Sequence, residues 1–190
     1  IPGSIASVLY TTMLERFSVR QDPKDVKSLL IGPIRAIWAL MLIITSIIII
    51  LLPLLIHFFV PKYSEAITVV QMLIFGSFFM SSSHLPGQFL IAVNKQRLII
   101  ILQISICIIV LLIDILIINL GFGLKGVALA TIIGYLAYGL GYTYIALSLV
   151  IENRKNLFKY LFWQTFPFIL MILSYLFLNN VLPYQGSIIN

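Results

Sequence analysis

In this chain of 190 residues, 61% are hydrophobic and only 9% charged, with a formal net charge of +6. That balance excludes an ordinary soluble domain, in which about a quarter of residues carry charge, and a disordered segment, which would be poor in apolar residues. It does not point to nucleic acid either, because a basic binding face needs a soluble domain to carry it, and here the basic residues sit between long apolar runs.

In chain order, Ser4–Phe17 reads as the cytoplasmic end of a helix. The polar linker Ser18–Lys27 follows, with Pro23 inside it and Asp22 or Asp25 as candidate caps for the next helix. Five apolar runs come next: Ser28–Val60, Ala66–Val93, Leu98–Leu120, Gly126–Ile151 and Leu161–Leu182. Each exceeds the roughly 20 residues an α-helix needs to cross about 30 Å of hydrocarbon. A surface helix of a soluble protein would show polar residues every turn, and Ile44–Ile56 and Ile99–Val110 have almost none. The predicted fold is an all-α polytopic membrane protein: a bundle of five transmembrane helices, at about 28–60, 66–93, 98–120, 126–151 and 161–182, preceded by a partial helix in 1–27.

The first run is longer than a bilayer requires, so it is expected to tilt, kink or project into the cytosol. Pro33 fits its first turns, Pro53 is placed to kink it, and Pro61 to stop it. Lys62–Glu65 reads as an outer turn, with Tyr63 in the headgroup layer. The second run is the most polar, with Gln71, Ser81 to His84, and then Pro86, Gly87 and Gln88. Proline followed by glycine is expected to weaken this helix, which is tolerable only where the freed backbone faces protein or water. The third run is lipid-facing in character except for Gln103 and Asp114. The fourth carries Gly126, Ala130, Gly134, Ala137 and Gly141, a small-residue stripe that lets helices approach closely. The fifth has Tyr160, Trp163, Tyr175 and Tyr184 in or flanking it, an interfacial aromatic distribution.

Charge sets the orientation. Arg16, Arg20, Lys24, Lys27 and Arg35 lie before or at the start of the first run; Lys95 and Arg97 separate the second from the third; Arg154, Lys155 and Lys159 separate the fourth from the fifth. Only Lys62 and Lys125 occupy the alternate loops. By the positive-inside rule the basic loops 16–27, 94–97 and 152–159 face the cytoplasm. The expected location is the cell (plasma) membrane, multi-pass. The missing methionine at position 1 and an outer C-terminal end lead to the expectation of an internal or C-terminal piece of a longer protein.

No catalytic constellation is visible. Asp114 alone of the acids falls within a run, and His57 and His84 lie in separate helices near opposite faces. Membrane hydrolases and transferases need converging carboxylates, histidines or metal ligands, so neither an enzyme, a metal nor a cofactor is expected. Cys107, the only cysteine, reads as a small hydrophobe in packing. The substrate-pathway candidates are Arg35, Ser83, His84, Gln88 and Asp114. A carboxylate at Asp114 makes an interhelical hydrogen bond or lines a pathway. Arg35 snorkels to the inner surface or meets an anionic headgroup or substrate phosphate. The stretch Ser83, His84 and Gln88 either bonds to neighbouring helices or offers hydroxyl, imidazole and amide groups suited to sugars.

The order of motifs resembles a known family. The octapeptide from Phe59 to Ala66 (FVPKYSEA) resembles the P-x-Y-x-x-A outer turn of bacterial and archaeal polysaccharide flippases. Gly87 to Arg97 (GQFLIAVNKQR) resembles their short cytoplasmic turn, and Asn119 to Thr131 (NLGFGLKGVALAT) their G-x-x-G-x-A-x-A-T helix opening. The resemblance is to the C-terminal half of the lipid-linked oligosaccharide flippases of the multidrug/oligosaccharidyl-lipid/polysaccharide exporter superfamily. It implies one lobe of a two-lobe transporter of about twelve to fourteen helices. It also implies alternating access around a cationic cavity and outward movement of a polyprenyl-linked glycan. The bilayer, that substrate and a missing N-terminal lobe are the implied partners. The alternatives are a drug or metabolite exporter of the same superfamily, or a non-transporting membrane subunit of a glycan-assembly complex. The outer loops at Lys62–Glu65 and Gly121–Lys125 are too short for the large arginine-bearing loop of a glycan polymerase.

Overall fold

Hydrocarbon offers no hydrogen bonds, so a long apolar run must close its backbone N–H groups on its own carbonyls, as an α-helix does. The computed structural model describes the backbone of residues 2–181 and the side chains of 2–19 and 21–173. Within those residues the chain is all-helical: α1 (Pro2–Arg20), α2 (Lys27–Phe59), α3 (Ile67–Ser82), α4 (His84–Ala92), α5 (Gln96–Asn119), α6 (Gly123–Ser148) and α7 (Arg154–Val181). Short 3₁₀ turns at Pro23–Val26 and Pro61–Ala66 precede α2 and α3. Five stretches are long and apolar enough to cross a membrane: Pro23–Phe59, Pro61–Ala92, Gln96–Asn119, Gly123–Ser148 and Arg154–Leu173. This is the polytopic bundle the sequence predicts, with α3 and α4 sharing one broken span. The end of the fifth run at Leu182, Tyr184 and the side chain of Tyr175 lie outside the described residues.

Local chemistry explains where the helices stop. Asp22 caps the 3₁₀ turn Pro23–Val26, its carboxylate accepting from the Lys24 N–H at 2.9 Å, whereas α2 begins after Val26 with no side-chain cap, so neither aspartate caps that helix directly. After α4, Asn94 takes a left-handed conformation (φ 58°), Lys95 N–H donates to the Leu90 carbonyl and Asn94 N–H to that of Ile91. The same closure follows α5, where Gly121 has φ 78° and Phe122 N–H reaches Ile117. Both are Schellman ends, and asparagine and glycine are the residues that tolerate the left-handed position. Before α7 the Asn153 side chain accepts from the Lys155 N–H at 3.0 Å. The helix therefore starts at Arg154, and the expected loop 152–159 is shorter than its sequence suggests, with Arg154, Lys155 and Lys159 on the first turns of α7.

Pro53 cannot donate to the carbonyl of Ile49, four residues earlier. The buried amide of Gln71 on α3 reaches across and donates to that carbonyl at 3.3 Å. Replacing Gln71 with leucine leaves the carbonyl bare among apolar side chains. Gln71→Leu is expected to lower stability by about 1–2 kcal/mol, measured by denaturant titration in detergent micelles. An unchanged midpoint would mean that Ile49 is satisfied without it.

The helices pack in a defined order. α6 lies between α3 and α5, α1 packs on α4, and α2 on α3, while α7 closes against α2 and α6. None of the residues of α5 is buried, so this helix presents its isoleucines and leucines outward. At the centre, Trp38 of α2, Phe78 and Phe79 of α3 and Phe168 of α7 form one aromatic cluster, with centroids 4.5–5.9 Å apart. At the loop end, Lys24 and Glu152 form an exposed ion pair linking the turn before α2 to the turn before α7. The hydrogen bond and charge of Lys24 hold the Glu152 carboxyl below its ordinary value. A depressed carboxylate pKa means the clasp is present at neutral pH and is lost as pH falls through that value. Being exposed, it contributes little to stability.

Candidate functional site

The five pathway candidates do not converge on one point. Ser83, His84 and Gln88 share the break between α3 and α4, Arg35 lies in a cleft between α2 and α7, and Asp114 sits on α5. α5 packs on α6 and touches α4.

The break falls at Ser83, three residues before Pro86. Pro86 cannot donate to the carbonyl of Ser82, so α3 ends there and the proline occupies the first turn of a new helix, where no donor is needed. Serine hydroxyls fold back on the loosened turns: Ser82 donates to the Phe78 carbonyl at 2.7 Å and Ser83 to that of Met80 at 2.6 Å. Ser82, Ser83, Leu85 and Pro86 are buried, Gln88 is half-buried and His84 is exposed. The break lies inside the bundle, with α4 held by α1, α2, α5 and α6. A Cβ at Gly87 would meet the ring of Tyr142 at 3.3 Å, and the Tyr142 hydroxyl is buried with no partner among the described residues.

Between α2 and α7 lies a cleft of about 210 Å³. Arg35, exposed at its rim, stacks its guanidinium 4.7 Å from the ring centre of Tyr160. The Tyr160 hydroxyl donates to the Ile31 carbonyl at 2.9 Å and fixes that ring against α2. Trp38 and Gln164 also line the cleft. The indole N–H and both amide atoms are buried without partners among the described residues. No sequence pattern singled out Gln164: a lone glutamine in an aromatic helix shows its partnerless state only when its neighbours are placed.

A second cavity, of about 260 Å³, lies among α3, α5 and α6. Gln103, Cys107, Thr131, Tyr135 and Tyr138 contribute to its lining, so Cys107 is exposed on a cavity wall and not packed in a core. Asp114 follows one turn beyond Val110 on the α6-facing side of α5, because Val110 and Ile117 meet Gly134 and Gly126 of α6. Its Oδ1 is buried and has no hydrogen-bond partner among the described residues. Among the described residues no group of three histidine, cysteine or acidic side chains is arranged to hold a metal.

The chain matches no protein-family model, no curated protein and no solved structure.

Proposed function

We propose that this chain is one lobe of a transporter that carries a lipid-linked oligosaccharide or polysaccharide precursor from the cytoplasmic to the outer leaflet by alternating access. The observation that supports it is the break at Ser83. A spanning helix interrupted inside a bundle, with polar side chains and the buried Tyr142 hydroxyl beside it, is the arrangement secondary transporters use to place binding groups at mid-membrane. The resemblance of the turns at Pro61–Ala66, Gly87–Arg97 and Gly121–Thr131 to those of polysaccharide flippases supplies the substrate class. In this reading Ser83, His84, Gln88 and Asp114 contribute to the pathway, a second lobe supplies the rest, and the basic loops face the cytoplasm. No bond is made or broken, and no cofactor is used.

The test is a flipping assay in cells lacking the intact protein. Lipid-linked glycan is expected to accumulate on the cytoplasmic leaflet, and the wild-type protein to relieve it. Asp114→Asn and Gln88→Leu, at normal abundance, are expected to relieve it poorly. Absence of accumulation, with altered sensitivity to cationic drugs, would replace this reading with the second one. That reading, a small-molecule exporter, is favoured by the α3–α5–α6 cavity, whose volume of about 260 Å³ and partly apolar lining suit a compact amphipathic molecule better than a glycan.

A further inference from the structure

The cleft between α2 and α7 contains unused hydrogen-bonding capacity next to a cation. Gln164 is 8% exposed and Trp38 2%. Neither the glutamine donor, the glutamine acceptor nor the indole N–H has a partner among the described residues. Leaving three polar atoms unsatisfied in a membrane-buried wall is unfavourable unless something enters to meet them. Arg35 stands at the mouth of the same cleft, its guanidinium face on Tyr160, and a guanidinium carries five N–H donors, enough to meet an anion as well.

We infer that this cleft binds the headgroup of an anionic phospholipid of the cytoplasmic leaflet, with the phosphate on Arg35 and the glycerol ester oxygens on Trp38 and Gln164. Depth supports a lipid over a soluble phosphate. Arg35 lies eight residues into α2, about 12 Å along the helix from Lys27, and Trp38 about 4.5 Å deeper. With Lys27 at the cytoplasmic surface, these positions match the phosphate and then the ester layer of a leaflet. The walls agree. Leu42 and Trp163 line the cleft together with Trp38 and Gln164, and Trp163 is 64% exposed, so an acyl chain can leave along it. The volume, about 210 Å³, suits a phosphoglycerol-sized group and is too small for an oligosaccharide. A choline headgroup brings its own cation towards Arg35, whereas phosphatidylglycerol does not and adds hydroxyls that Gln164 Oε1 accepts. The inference needs the membrane placement of the bundle and Lys27 on the cytoplasmic side, not the transport reading, and the flipping variants above lie elsewhere.

The experiment is native mass spectrometry of the intact protein released from nanodiscs of equimolar phosphatidylglycerol and phosphatidylcholine. The retained lipid is expected to be phosphatidylglycerol by about tenfold, since both lipids offer the phosphate but only phosphatidylcholine sets a second cation against Arg35, a difference worth about one decade of affinity. Arg35→Gln is expected to bring the ratio to about one. Gln164→Leu and Trp38→Phe, which keep the shape and remove the polar atoms, are expected to lower total retained lipid. The exposed outer residue Lys62→Gln is expected to change nothing. Equal retention of the two lipids by the wild type, or a preference that survives Arg35→Gln, would overturn the assignment. So would displacement of phosphatidylglycerol by soluble glycerol 3-phosphate, which would identify a free phosphate ester as the ligand.

Discussion

Phe78→Ala is expected to destabilise the bundle by about 3 kcal/mol. The ring is fully buried on α3, edge-on to Trp38 and Phe79 at 5.1 Å each and stacked on Phe168 at 4.5 Å. It therefore joins three helices: α2, α3 and α7. In hydrocarbon the transfer of the ring from solvent contributes little, because lipid tails are as apolar as the core. What is lost is the set of ring contacts and the filling of the space, since close-packed surroundings relax only in part. Phe78→Leu refills most of that volume and is expected to cost about 1 kcal/mol. Reversible unfolding in mixed micelles, followed by tryptophan fluorescence, checks both, because Trp38 touches the mutated ring. Equal losses for alanine and leucine would show that the ring contacts, not the cavity, carry the effect.

Gly139→Ala is expected to cost as much, for the opposite reason. A Cβ built at Gly139 lies 2.5 Å from the carbonyl oxygen of Phe79 and 2.9 Å from its carbonyl carbon. These are backbone atoms of α3 and cannot turn aside as a side-chain tip could. α3 and α6 would have to separate along the most extensive contact in the bundle. The expected loss is about 3 kcal/mol, the upper end for overpacking. Gly32→Ala is the control: nothing lies within 4 Å of that position, and alanine is the better helix former by about 1 kcal/mol. A neutral or slightly stabilising Gly32→Ala beside a destabilising Gly139→Ala separates steric conflict from helix propensity. If both variants behaved alike, α3 and α6 would not be in contact at Gly139.

The small residues of α6 show how far a pattern reaches. Gly126, Ala130, Gly134 and Gly141 repeat at helical spacing, and Gly126, Gly134 and Gly141 do meet α5, against Ile117, Val110 and Leu102. Gly139 stands off that register, five residues beyond Gly134, and it meets backbone rather than a side chain, on a different helix. Periodicity finds one face of a helix, and α6 has two. Ala137, counted in the stripe, is exposed. The kink expected at Pro86 and Gly87 was legible because proline removes a donor wherever it sits. The end of α3 at Ser82 and the proline in the first turn of α4 follow from that missing donor; the packing of α4 on α1 and α6 is what only the fold shows.

Long apolar runs dictate helices whatever surrounds them, because hydrocarbon leaves the backbone no other partner. The five spans and the alternation of charge therefore follow from the amino-acid sequence alone. Which groups stay unsatisfied does not. Gln71 and Gln164 are both single glutamines in apolar helices, yet the first meets the carbonyl that Pro53 frees and the second meets nothing among the described residues. That difference is set by the lateral placement of α3 and α7 against α2. Hydrogen bonds act over about 3 Å, and only the packed bundle fixes distances that short between residues far apart in the chain.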